Sequence, residues 1–244
     1  MNDRKSNSGI WMKLTQRELV GELMDDPTLP ESQHLHALRG LQRINTLSRT
    51  PQTLFKHLCL CLGMDQQKPK RILDVACGDG DNAIQLAQLA QRQGLPWQVS
   101  GCDISDRSIA FAQERSGRRG FKLKFFTADA LSNLDTQGYD AVVNTLFLHH
   151  LEDTQIIALL RQLKDAQHVV ISDLVRSKLA YCVTRAGVHL LSRSHVVHVD
   201  GPLSVRAALT PMELSNLSVE AGMDGAVIKP SWPLRQLLVW SRPS

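Results

Sequence analysis

The chain of 244 residues has no apolar run near the roughly 18–20 residues that a membrane-crossing helix requires, so no span is expected. Its opening stretch, Met-Asn-Asp-Arg-Lys-Ser-Asn-Ser-Gly, is polar and is not followed by an apolar core of about 7–15 residues, unlike a secretory leader. The five cysteines (59, 61, 77, 102 and 182) are odd in number and irregularly spaced, which argues against a disulfide framework. Cys59 and Cys61 form a lone Cys-x-Cys in an apolar stretch, too few ligands for a metal. Buried thiols in a reducing, cytoplasmic compartment are expected, with no metal. Aromatic residues make up only 5% of the chain, and 28 bases stand against 24 acids. No basic stripe interleaved with stacking aromatics results, so nucleic acid is not an expected partner. The 43% hydrophobic share suits a soluble globular protein. The length suits one α/β domain with an added cap, since single cores stay economical to about 250 residues.

The informative stretch is Lys70 to Asn82. Ile72, Leu73 and Val75 form a β-rich run ending in Ala76, and Cys77, Gly78, Asp79 and Gly80 form a small-residue turn. From Asp81 the period becomes helical, with Ala83, Ile84, Leu86, Ala87, Leu89 and Ala90 on one face. Strand, glycine turn and helix together expose bare backbone and free N–H groups to a ligand. The turn lacks the Gly-Lys-Ser/Thr of a nucleotide-triphosphate loop, and Ala83 stands where a dinucleotide fingerprint wants its third glycine. Asp74, Asp79 and Asp81 surround it. Those carboxylates would repel a bisphosphate and attract a ligand carrying an ammonium and a sulfonium. A plain β–α turn without a ligand is the bland alternative. The stretch resembles motif I of the class I S-adenosylmethionine (SAM)-dependent methyltransferases, departing from it by Ala76 in place of the first glycine. That change is modest if Ala76 keeps φ < 0.

Ahead of this motif, residues 13–25 are expected as a short helix with Leu14, Leu19, Val20 and Leu23 on its apolar side. Leu35, Leu38, Leu41, Ile44 and Leu47 predict an amphipathic helix that also carries Arg39 and Arg43. Thr50-Pro51 reads as the start of another helix ending before Gly63. After the motif, strands are expected at Trp97–Cys102, Phe121–Thr127, Tyr139–Asn144 and Val169–Ser172, with helices at Ser105–Ser116 and Glu152–Asp165 between them. Arg115, Arg118, Arg119, Lys122 and Lys124 form a basic run read as a solvated face. Residues 174–209 leave the alternation as an insertion dense in His and Arg. Thr210-Pro-Met-Glu213 is a capping box whose helix closes at Gly222, and Ala226–Lys229 with Leu234–Trp240 reads as a hairpin. The order resembles a doubly wound, seven-stranded, mostly parallel α/β sheet with an antiparallel last strand, preceded by an N-terminal helical cap. Residues 1–66 would be that cap, covering the acceptor pocket as in the family resembled or simply packing on the sheet. Residues 67–244 would be the SAM-binding methyltransferase domain.

The resemblance implies SAM as cofactor and a role for particular residues. Asp74, Ala76, Cys77, Gly78 and Gly80 would form the methionine-side turn. Asp103, 29 residues after Asp74, would accept from vicinal ribose hydroxyls beside Ile104. Asp129 and Ala130 would meet adenine, although Asp129 also suits a plain cap, and Asn144, at the end of the fourth strand, is a further cofactor-binding candidate. The following Thr145-Leu-Phe-Leu-His-His-Leu is similar to the small-molecule branch. It lacks the Asn/Asp-Pro-Pro-aromatic of DNA amino-methylating enzymes and the Pro-Cys of the cytosine-C5 type. His149 and His150 are therefore the catalytic candidates, because an imidazole suits the proton of a phenol or carboxylic acid. Arg43, Arg176, Tyr181 and His189 are substrate-side candidates. His195-x-x-His198-x-Asp200 is a weak metal pattern. The expected function is methyl transfer to a small-molecule acceptor, an aromatic, quinone-like or polyketide oxygen. The alternative is a non-catalytic module that binds SAM or its demethylated product and acts through partners.

Overall fold

A computed structural model of the chain describes residues 14–25, 28–30, 32, 33, 36, 37, 48–132 and 134–243. Seven strands form one sheet: β1 (Lys70–Val75), β2 (Trp97–Asp103), β3 (Lys124–Thr127), β4 (Ala141–Thr145), β5 (His168–Leu174), β6 (Val227–Ser231) and β7 (Arg235–Ser241), in the order β3-β2-β1-β4-β5-β7-β6. The first five are mutually parallel, and β7 runs antiparallel between β5 and β6. The central strands read as apolar runs because both of their faces are covered. On one face α1 (Thr50–Leu62), α2 (Asp81–Arg92) and α3 (Asp106–Arg118) bury Leu54, Leu58, Ile84, Leu86 and Ile109 against Ile72, Val99 and Val143. On the other, α4 (Asp153–Leu163) and α7 (Pro211–Glu220) bury Ile156, Leu160, Leu214 and Leu217 against Leu73, Val142 and Val169. The expected doubly wound sheet with an antiparallel last strand is therefore present.

The sheet reverses its winding between β1 and β4. Val75 lies beside Cys102 of β2 on one side and Asn144 of β4 on the other, and the chain leaves those strand ends in opposite directions. Such a point opens a crevice at the carboxyl ends of the strands. Two non-glycine residues there adopt the left-handed region, Ala76 (φ 52) after β1 and Leu146 (φ 54) after β4. The condition under which Ala76 would be a modest change, a negative φ, is thus not met: the turn has the glycine conformation although a methyl group is present.

Several element boundaries shift for local reasons. The third and fourth strands start later than expected, because the Phe121 and Tyr139 amides close turns onto Ser116 and Thr136. Ser105 caps α3 by accepting from the Ser108 amide, and Thr210 with Glu213 makes the anticipated capping box of α7. Where a helix was expected over 13–25, residues 14–25 form a turn, irregular chain and a short 3-10 turn, Leu23–Asp25. Leu19, Val20 and Leu23 stay exposed, so no core rewards a helix there. Tethers to distant residues hold the segment instead. The Arg17 guanidinium donates to the Ala207 and Leu148 carbonyls, and the Leu23 and Met24 amides donate to Asp200. Most of the helix expected around Leu35–Leu47 lies outside the described residues, Arg39 and Arg43 included. The insertion forms two packed helices, α5 (Lys178–Leu191) and α6 (His195–Ala207). Gly201 permits their approach, since a Cβ there would sit 2.8 Å from Val188 Cγ1.

Two substitutions in the turn should act in opposite directions. Ala76→Gly relieves a left-handed alanine and should raise stability by about 0.5–1 kcal/mol. Gly80 has φ 72, and its added Cβ would lie 2.8 Å from Ala112 and Phe125, so Gly80→Ala should cost roughly 2 kcal/mol or more. Thermal melts of both variants in the absence of ligand test this pair.

Candidate active site

The glycine turn holds the first half of the site. Asp74 is fully buried at the end of β1, and neither carboxylate oxygen has a hydrogen-bond partner. Burial pushes its pKa up to about 8 and the charges of Asp103, Asp79 and Asp81 raise it further; the nearby Ala83 amide, too poorly aligned to count as a hydrogen bond, offsets this only in part. The sequence reading treats all the surrounding acids alike, and that requires correction. Arg115, assigned to a solvated basic face, is half-buried and pairs with both Asp79 and Asp81, at 2.9 Å to the latter. It therefore neutralises the rim and leaves Asp74 as the uncompensated acid. The Asn82 amide donates to Thr145 Oγ1 at 2.6 Å, joining the start of α2 to the end of β4.

Asp103 is oriented by two amides. Gly78 N–H donates to Oδ2 and Ser105 N–H to Oδ1, each at 2.9 Å. A carboxylate oxygen has two lone-pair directions, so Asp103 keeps acceptor capacity beyond these bonds. Beside it Ile104 exposes 68% of its surface. A Cβ on Gly78 would meet nothing within 4 Å, so the turn faces open space there. Asp129 accepts from the Leu131 amide and the Ser132 hydroxyl, bonds that hold its carboxyl below the usual range, and Ala130 beside it is buried. These bonds close a turn rather than start a helix, so the capping role considered for Asp129 is not what it performs here. Burial pushes the Cys77 thiol up, and the Cys102 thiol up to about 12, so neither is a thiolate nucleophile near neutral pH. Asn144 donates to the Val75 carbonyl at 2.7 Å, while its Oδ1 is buried without a partner. An orphaned carboxylate, an open glycine backbone, a pre-oriented acceptor and an exposed apolar side chain fit a cationic ligand that carries hydroxyls and a flat ring.

The second half lies at the ends of β4 and β5. The short 3-10 turn Leu148–His150 places His149 in the interior and His150 at the surface, with ring centroids 4.2 Å apart. His149 Nδ1 is 2.7 Å from Asp173 Oδ1, and Asp173 also accepts from the His149 and Leu174 amides. An ionised Asp173 accepts only, so Nδ1 carries the proton and Nε2 is the free face of neutral His149. Burial alone would lower the His149 pKa, but the Asp173 charge and hydrogen bond, with Glu22 behind them, hold it above the ordinary value. Burial would likewise raise Asp173, but His149 and the backbone amides keep it low. Behind the pair, Arg235 is buried with its pKa lowered by desolvation to about 10, and it donates to Thr50 Oγ1 at 2.5 Å. Glu22, from the tethered N-terminal segment, sits with Oε1 3.9 Å from His149 Nε2 and accepts from Ser204. Glu22, His149 and His150 each bring one donor atom within 4.8 Å of the others, a spacing that could also admit a cation.

Of the substrate-side candidates, Arg176 is corrected. Its buried guanidinium donates to the Leu14 and Ala208 carbonyls and to Glu213, so it is a strut between β5 and α7. His189 is exposed on α5, its Nδ1 at the Arg185 carbonyl and its ring stacked 4.1 Å from His198, while Tyr181 is half-buried on the same helix. Arg43 lies outside the described residues. His195, His198 and Asp200 do not converge: His198 engages the Ser192 carbonyl, and Asp200 holds the Leu23 and Met24 amides. Asp173, Arg115 and Glu22 are the participants that sequence reasoning missed. An acid closing a buried strand was a usable signal for Asp173; no local pattern marks Glu22.

Residues 72–169 match a family model described as a methyltransferase domain. A demethylmenaquinone methyltransferase of Thermus thermophilus is 37% identical over 78 residues, which is 32% of this chain and 34% of that protein. The chain thus aligns with about a third of the length of that relative. A ubiquinone biosynthesis O-methyltransferase of Roseobacter denitrificans is 29% identical over 181 residues, 68% of each chain. In fold, the chain is similar to the plantazolicin methyltransferase BpumL, solved in complex with a triazolic desmethylPZN analog and SAH. The TM-score is 0.64 at 16% identity, over 98% of this chain and 100% of that one.

Asp74 yields a stability prediction. Its folded pKa, about 8, lies above the unfolded value near 4, so its contribution favours folding at low pH and is lost as pH rises from about 4 through 8. Asp74→Asn should therefore stabilise the ligand-free protein by about 1–3 kcal/mol at pH 8 and by little at pH 4. Denaturant titrations at the two pH values check the widening gap.

Proposed function

We propose that this chain, which has the fold and carries the central domain of the class I SAM-dependent methyltransferases, methylates an oxygen of a small aromatic or quinone-like acceptor. When bound, SAM supplies a methyl group on a positively charged sulfur that is already an excellent leaving group. The work left to the protein is alignment, exclusion of water and handling of the acceptor proton. Asp74 would meet the ammonium of the methionine part, relieving the cost of its unpaired burial. The backbone of Ala76, Cys77, Gly78 and Gly80 would follow that part of the ligand. Asp103 would accept from the ribose hydroxyls, Ile104 would cover one face of adenine, and Asp129 with Ala130 would meet its edge. Asn144 Oδ1 would complete the wall from β4.

The observation that carries the reading is the His149–Asp173 pair across the winding reversal from the glycine turn. His149 Nε2 would take the proton of the acceptor hydroxyl, and Asp173 would stabilise the resulting imidazolium and fix the ring. His150, at the surface beside it, would line the acceptor entrance. The names of the two curated relatives support the quinone-like class. Within residues 1–66, the 14–25 segment would serve as a cover on the acceptor side, a role supported by the Arg17 and Asp200 tethers and by Glu22 facing His149, whereas residues 50–62 pack on the sheet. A cytoplasmic setting is supported by the five free thiols.

His149→Ala should lower turnover on phenolic acceptors about 10²–10³-fold while leaving SAM affinity within about twofold. Wild-type turnover should climb with pH along a limb whose apparent pKa lies above 6.5, and Asp173→Asn should move that limb to lower pH. A product assay across phenols and hydroquinones between pH 5.5 and 9 reads both, and unchanged turnover in His149→Ala and His150→Ala alike would refute a histidine base. Asp103→Ala should weaken SAM binding by about 1–3 kcal/mol in isothermal titration. Tight SAM binding without methylation of any acceptor in that panel would instead favour the non-catalytic module.

A further inference from the structure

Glu22 stands at the free face of the histidine, and its charge has no use in the chemistry described above. Its Oε1 lies 3.9 Å from His149 Nε2, and its side chain is only 14% exposed. The carboxylate is held there from several sides. Ser204 donates its hydroxyl to Oε1, and the next two residues, Leu23 and Met24, donate their amides to Asp200 at 2.9 and 3.0 Å. The other charges around the pair are answered. Buried Arg235 lies behind Asp173 and feels its charge. Arg17 is committed to Asp153 at 2.7 Å and to the Ala207 and Leu148 carbonyls, Arg206 to Glu18, and Arg176 to Glu213. When His149 is neutral, the form that can take a proton, the Glu22 carboxylate therefore faces it with none of these cations opposite. A phenolic oxygen within hydrogen-bond reach of Nε2 then lies no more than about 7 Å from Oε1. That is inside the screening length of about 8 Å at physiological salt, and burial weakens screening further. A carboxylate carried on the same small ring is repelled there, whereas a neutral phenol is not.

We propose that Glu22 is a specificity-determining residue, an electrostatic filter that restricts the acceptor to phenols without a carboxylate. The inference deepens the methyl-transfer reading and rests on it for the identity of the acceptor side. The donor's sulfonium would draw an anion into the same crevice, and Glu22 opposes that pull. The filter also fixes an order of reactions: a step that decarboxylates, esterifies or amidates an acidic phenol must precede methylation at this site. Because Glu22 belongs to the segment 14–25, the filter is in place only while that segment is docked.

The test compares meta-hydroxybenzamide with meta-hydroxybenzoate, two phenols of nearly the same shape that differ by one negative charge. Binding of each to the full chain loaded with the demethylated cofactor, whose sulfur is uncharged, is read by isothermal titration in mildly alkaline buffer, which favours neutral His149. Wild type should hold the amide at least tenfold more tightly than the carboxylate. Glu22→Gln keeps the shape and an oxygen for Ser204, and should bring the two within about threefold of each other. Glu22→Asp keeps the charge and should retain at least a fivefold preference. Wild type that binds both phenols equally, or neither, would overturn the proposal, as would a preference that Glu22→Gln leaves unchanged. A preference lost in Glu22→Asp as fully as in Glu22→Gln would assign Glu22 to packing of the segment alone and equally overturn it. Turnover with SAM is scored separately: Glu22→Gln should raise kcat/KM on the carboxylate at least tenfold relative to the amide. The expected binding ratios without methylation of either phenol by any of the three proteins would count against methyl transfer and uphold the filter.

Discussion

Everything in the site follows from the parallel pairing of β1 with β4 at the point where the winding changes direction. Val75 has a strand on each side, and the chain departs on opposite faces beyond it. The backbone that could have filled the gap is carried away, so the ends of these strands border a crevice by topology alone. Left-handed residues at Ala76 and Leu146 flank the reversal on its two sides. Strain of that kind persists where the surrounding hydrogen bonds over-determine it. Here Cys77 N–H donates to the Cys102 carbonyl and Leu146 N–H to the Ser172 carbonyl.

The electrostatics separate into a neutralised rim and two distinct interiors. Arg115 answers Asp79 and Asp81, which leaves Asp74 alone with a carboxyl that ionises only at cost. Across the reversal the arrangement is the converse, since Asp173 is buried too but satisfied by His149 and two amides, with cationic Arg235 nearby. One acid is left without a partner inside the protein, and the other is occupied by it. Two carboxylates on strands of one sheet, β1 and β5 with β4 between them, thus differ in role through surroundings rather than through chemical type.

The fold was largely legible in the sequence because each strand of the core is a short apolar run ended by a polar or small residue, and the helices between them carry clear periodicity. Boundaries slipped where turn hydrogen bonds claimed an amide, as at Phe121 and Tyr139. The N-terminal segment misled because Leu14, Leu19, Val20 and Leu23 have helical spacing, yet what holds that segment is Arg17 and two backbone amides bonded to residues far along the chain. Pairings such as Arg115 with Asp79, or Glu22 facing His149, depend on the packing of separate elements and leave no local pattern. Arg176 shows the reverse error: a cation in a His- and Arg-rich stretch suggested a ligand contact, whereas its donors meet two carbonyls and Glu213.

Those distant tethers also bear on how the molecule is made. Arg17 bonds to Ala207, a separation of 190 residues, and Leu23 to Asp200, a separation of 177. During translation the N-terminal strap can meet Leu148 and Asp153 early, but its contacts to α6 form only after that helix has left the ribosome, by which time the central strands have all been synthesised. Contacts of such long separation carry a loop-closure cost that only a largely assembled chain can offset. The full set of tethers that holds Glu22 near His149 is therefore complete only late in biogenesis.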